Sequence, residues 1–151
     1  MQETPEDKAL EDRLSASKFS GEGFLGTDHR PVDEIVAADL HALAQLGVSK
    51  DALLAALRDA YEKARAALGG EVEIRPGVVA LAHESMGRIP SPFRGDGVFE
   101  KGDVVLTAAN GEQLVLTALG LAMIEKHSFF QGRGSRYRVE PARAAALLGL
   151  A

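Results

Sequence analysis

The chain has 151 residues, 46% of them hydrophobic, so it can bury a real core and is no disordered chain. It has no cysteine, which removes disulfides, thiolate metal sites and cysteine nucleophiles together. The net charge is −5, with 13 acids against 8 bases in residues 1–70 and nine of each in 71–151, which argues against a general polyanion binder such as a nucleic-acid protein. The longest run of apolar residues and glycine, Ala118 to Ile124, falls far short of the roughly 20 residues a membrane helix needs, and the acidic N-terminus has no apolar signal region. A cytoplasmic protein without a membrane partner is the expectation.

Residues 1–20 are polar and charged, without sustained periodicity. They predict a mobile acidic tail, with a short helical piece around Ala9–Leu14. Residues 21–151 read as one α+β domain. The domain opens with Gly21 to Gly26 (GEGFLG), which matches G-x-G-x-x-G. That dinucleotide fingerprint needs a strand before it and a helix beginning within it. Neither is present, so the segment is read as an entry turn.

Pro31 suits the first turn of a helix running from Val32 to Leu46, with Val32, Val36, Leu40 and Leu43 on its apolar face and Ile35 and Leu46 beside them. Gly47 stands where a left-handed residue closes a helix, with Val48 as its hydrophobic contact. Ser49 then caps a second helix to about Leu68, ended by Gly69 and Gly70. Its stripe is Leu53, Leu54, Leu57, Tyr61, Ala64 and Leu68, and Asp59 and Lys63 form an i,i+4 ion pair. The Gly-Val-Ser turn resembles that of a DNA-reading helix-turn-helix. However, Leu43 occupies a position where that motif keeps a small residue, and acids interrupt the would-be recognition helix. An ordinary αα-hairpin is the better reading.

After Gly70 the pattern changes to alternation. Glu71–Ile74 and Val78–His83 form one predicted β-hairpin around Arg75 to Gly77, and Asp103–Thr107 and Glu112–Leu116 form another around Asn110-Gly111. A two-residue turn there needs positive φ at both central residues. Between the hairpins, Gly87, Pro90, Pro92, Gly95, Gly97 and Gly102 punctuate a long loop. Thr117 caps a helix to about His127, and Pro141 opens a short terminal helix. The fold class is therefore α+β: an N-terminal αα-hairpin, a small antiparallel four-stranded sheet of two β-hairpins, and C-terminal helices.

Two loops carry candidate chemistry. Residues 88–97 present Arg88, Ser91, Arg94 and Asp96 on a path fixed by glycine and proline. Residues 127–138 hold three arginines and no acid. In this second loop His127 closes a helix at the negative end of its dipole, and Phe129 and Phe130 should anchor the chain. The stretch from Gln131 to Ser135 offers backbone amides and glycines beside Arg133, Arg136 and Arg138, whose planar forks suit carboxylate or phosphate. The four histidines (His29, His41, His83 and His127) show no metal-ligand spacing, so neither metal nor cofactor is expected.

Three readings follow. In the first, the protein is a binding module for a small anionic or phosphate-bearing ligand. Arg88, Ser91, Arg94, Gln131, Arg133, Ser135, Arg136 and Arg138 would contact the ligand. In the second it is an enzyme whose general acid/base, His127, is oriented by Asp96. In the third it is a homo-oligomeric interaction protein that associates through exposed leucines such as Leu147, Leu148 and Leu150. The first two require the 88–97 and 127–138 loops to converge.

Overall fold

A computed structural model describes residues 23–151, together with Pro5 and Leu10. The predicted acidic tail, its short helical piece and the first residues of the glycine-rich entry turn otherwise lie outside the described residues.

The helical hairpin forms as its end signals dictate. Helix α1 (Val32–Leu46) follows Pro31, which takes the N-cap place just before the first turn. It stops at Gly47, whose φ of 71° lets the Gly47 and Val48 N–H groups reach back to the last carbonyls. Helix α2 (Lys50–Ala66) begins where the Ser49 side chain accepts from the Ala52 N–H, and Lys63 and Asp59 pair at 2.9 Å.

Two details of the apolar stripes differ from expectation. On α1 the buried line is Ile35, Asp39 and Leu43, while Leu40 and Leu46 are exposed. The helix packs on the terminal helix, with Leu43 in the main core and Ile35 in a second apolar cluster beside Leu119, Met123 and Phe129. Leu68 lies beyond the end of α2, is 89% exposed, and has a left-handed φ of 49°.

Strands β1 (Val72–Arg75), β2 (Val78–His83), β5 (Asp103–Ala108) and β6 (Gln113–Thr117) form one antiparallel sheet in the order β1-β2-β5-β6. The two predicted hairpins are thus joined through β2 and β5, with Ala80 opposite Leu106 and Ala82 opposite Val104. Helix α2 covers one sheet face. There Leu53, Leu57, Ala80, Val104, Leu106 and Leu116 are buried to 1% exposure or less. Each such leucine contributes about 1.5–3 kcal/mol of transfer free energy.

The turn at Asn110-Gly111 departs from the two-residue form. The Gly111 N–H donates to the Ala108 carbonyl, and Gly111 alone has positive φ (89°). The Asn110 side chain accepts from the Glu112 N–H at 2.9 Å, which holds a longer turn closed by a left-handed glycine.

The long loop between β2 and β5 contains a second, two-stranded sheet. Strand β3 (Arg88–Pro90) pairs with β4 (Val98–Glu100), and Ile89 stands opposite Phe99. These two side chains and Phe93 pack onto a second apolar cluster of Phe24, Leu25, Ile35, Leu119, Met123 and Phe129. Glycine and proline counting saw the bends and missed this β-arm, because a three-residue strand is too short to show alternation.

Helix α3 (Ala118–His127) starts with the Thr117 hydroxyl accepting from the Gly120 N–H and ends at Ser128 in the left-handed region. Helix α4 (Pro141–Leu147) opens on proline as expected. Leu147 is buried and Leu148 rests on the main core, so of the three terminal leucines only Leu150, 37% exposed, faces outward.

Candidate functional site

The segment after α3 is held at three levels. Phe129 and Phe130 are 0% and 1% exposed and enter different apolar clusters, so the chain bridges both cores as it leaves the helix. The glycines beyond them serve a clasp with residues 24–28. The Gly132 N–H donates to the Phe24 carbonyl at 2.8 Å, and the Thr27 N–H donates to the Arg133 carbonyl at 2.9 Å. A Cβ on Gly132 would lie 2.3 Å from the Leu25 carbonyl oxygen, so the two backbones leave no room for a side chain.

Asp28 completes the clasp by accepting from the Arg133 N–H at 3.1 Å. The Arg30 guanidinium, helped by the Arg133 and Arg30 N–H groups, holds the Asp28 carboxyl well below the usual carboxylate range against the cost of burial. An amide that the sequence offers to an external anion is therefore taken by an internal carboxylate.

The 88–97 and 127–138 loops do converge. His127 Nε2 lies 2.7 Å from Asp96 Oδ2, and Phe93 stacks on the imidazole with 3.8 Å between ring centres. Phe93 also meets Phe129 edge-on. The turn carrying Asp96 is closed by its own hydrogen bonds, including Phe93 N–H to Ser91 Oγ and Ser91 N–H to the Gly97 carbonyl. This contact fastens the tip of the β-arm to the end of α3.

The predicted cations scatter. Arg138 is drawn inward, its side chain 9% exposed. It makes two hydrogen bonds to Asp39 at 2.8 and 2.9 Å, a third to Glu140, and a fourth to the Gln131 carbonyl. Burial pulls its pKa down, but the Asp39 and Glu140 carboxylates outweigh that and raise it. Asp39 escaped the sequence reading. The available signal was an acid four residues after Ile35 and four before Leu43, in line with the buried face of α1. The Arg88, Arg94 and Arg133 side chains are exposed, with Arg88 opposite Glu100 in the β-arm.

Buried Gln131 and Ser135 and the exposed Arg136 line a cavity of about 220 Å³ between the base of the β-arm and the 131–137 loop. Phe24, Ile89 and Leu119 supply its apolar wall, and Thr117 and Tyr137 add hydroxyls. Four charged residues line it: Glu100, Lys101, Asp103 and Arg136. Glu100 is engaged by Arg65 and by the Tyr61 hydroxyl, and Asp103 by His83 at 3.1 Å. Among the described residues neither Lys101 nor Arg136 has a carboxylate partner, though Arg136 lies over the Tyr137 ring at 5.4 Å. Lys101 was hidden in the sequence by its acidic neighbours Glu100 and Asp103. His127 and Asp96 do not line this cavity. A second hollow of about 270 Å³, bordered by Tyr61, Arg65 and His83, shares the Ser85, Glu100 and Asp103 wall.

Among the described residues no group of three or more histidines and carboxylates could hold a metal ion, and no helix is long and apolar enough to cross a membrane. Comparison with known protein families, curated proteins and solved structures finds no match to this chain.

Proposed function

We propose that the protein is a binding module for a small anionic ligand, taken up in the cavity between the β-arm and the 131–137 loop. The observation that carries this reading is the pair of uncommitted cations, Lys101 and Arg136, on the wall of a hollow whose two carboxylates already have partners. Phe24, Ile89 and Leu119 give the hollow an apolar wall against which the non-polar part of such a ligand can rest. A volume near 220 Å³ suits a small carboxylate or phosphate ester better than a dinucleotide.

A general acid/base role for His127 is the weaker reading. Its Nε2 is committed to Asp96, Phe93 covers one ring face, and neither partner of the dyad borders the cavity.

Thermal unfolding with inorganic phosphate and with malonate tests the binding reading. A ligand at about 100 times its Kd adds about 2.7 kcal/mol, which for a chain this size raises Tm by about 5–10 °C. Lys101→Ala and Arg136→Ala should each shrink that rise. A wild-type Tm indifferent to both anions, and to a wider panel of small acids, would sink the proposal.

A further inference from the structure

Gln131 stands out within the cavity wall. It is 3% exposed, it has a left-handed φ of 73°, and it begins a stretch, QGRGS, in which glycine is freely used. A glycine at 131 would adopt that backbone without strain, whereas a glutamine is held in it by its surroundings. Arg138 grips its carbonyl, and Asp39 in turn anchors Arg138. The Ser135 hydroxyl donates to its Oε1 at 2.7 Å. That bond occupies the amide's acceptor end and leaves the Nε2 donor end by the first turn of α3, where a Cβ on Gly120 would lie 3.6 Å from it. No hydrogen bond among the described residues takes up Nε2.

We infer that Gln131 is the residue that selects the ligand: its Nε2 group donates to a ligand oxygen, so the site accepts oxyanions and rejects molecules that present N–H at that point. The inference rests on the binding reading above and sharpens it. Lys101 and Arg136 supply attraction for any anion, while the oriented amide supplies discrimination between acceptor and donor. Discrimination of this kind is strong because a mismatched donor would leave two N–H groups facing each other in a half-dry cavity.

Malonate and β-alanine, which keeps one carboxylate and carries a donor-only ammonium in place of the other, are the probes, compared by calorimetric titration at pH about 8, where carboxylate and ammonium are both charged. Wild type should bind malonate and hold β-alanine at least about tenfold more weakly. Gln131→Glu keeps the shape and can still accept from Ser135, but it replaces the donor end with an oxyanion. It should lose malonate affinity by at least about tenfold, with a lowered Tm because its charge sits at a position 3% exposed. Ser135→Ala leaves Gln131 in place and frees its amide to turn its oxygen to the ligand, so β-alanine affinity should rise. Should Gln131→Glu fail to fold, the Ser135→Ala result decides. If wild type binds neither malonate nor phosphate, the binding reading itself falls. If wild type binds malonate, Arg136→Ala weakens it, and either Gln131→Glu binds as well as wild type or Ser135→Ala leaves β-alanine binding unchanged, the selecting role of Gln131 is overturned.

Discussion

Removing the Asp39 carboxylate tests how the site loop is held. Asp39 and Arg138 have side chains 6% and 9% exposed and share two hydrogen bonds across 99 residues of sequence. Deleting one partner of such a pair costs about 3–5 kcal/mol, because the other charge stays buried without its counterion. Glu140, with its side chain 40% exposed, still reaches Arg138 at 2.8 Å, so Asp39→Ala falls at the lower end, about 3 kcal/mol. For a chain of this length that lowers Tm by about 6–12 °C. Urea unfolding is the assay, and the midpoint should fall with an unchanged slope. The double variant Asp39→Leu, Arg138→Met should recover much of the loss, since both buried charges leave together. A loss below about 1 kcal/mol for Asp39→Ala would refute the reasoning, because that is the range of a solvent-screened surface pair.

Two further outcomes follow from the clasp between residues 24–28 and 132–135. Gly132→Ala places a methyl 2.3 Å from the Leu25 carbonyl oxygen and should cost about 1–3 kcal/mol or more. Gly47→Ala meets nothing within 4 Å and carries only left-handed strain, about 1–2 kcal/mol. Urea midpoints that reverse this order would show that the two backbones can part. Asp28 governs the acid limb of stability. Its folded pKa lies below the ordinary aspartate value, so its contribution is fully present above about pH 4 and is lost as pH falls through the folded value. Asp28→Asn should therefore flatten the decline in Tm below about pH 4 relative to wild type, and parallel curves would contradict this.

The sequence by itself determined the elements whose signals lie within one turn of the chain. The Ser49 and Thr117 caps and the Gly47 stop each satisfy backbone groups no more than five residues away, and Pro141 lacks the N–H that a helix start leaves unpaired, so their residue types are sufficient evidence. Alternation from 71 to 83 and from 103 to 116 likewise marked four strands, since period two is a property of the strand alone.

The tertiary structure decided which of these groups meet. Three arginines in eight residues suggested one anion site, yet Arg138 turned inward to Asp39, Arg133 to solvent and Arg136 to a cavity edge. The fate of Arg138 depends on a carboxylate from α1, and no local periodicity registers a partner 99 residues away. The glycines of the 131–135 loop tell the same story. Their spacing announced a close approach of backbone to something, and the fold supplied residues 24–28 as that partner before any ligand could.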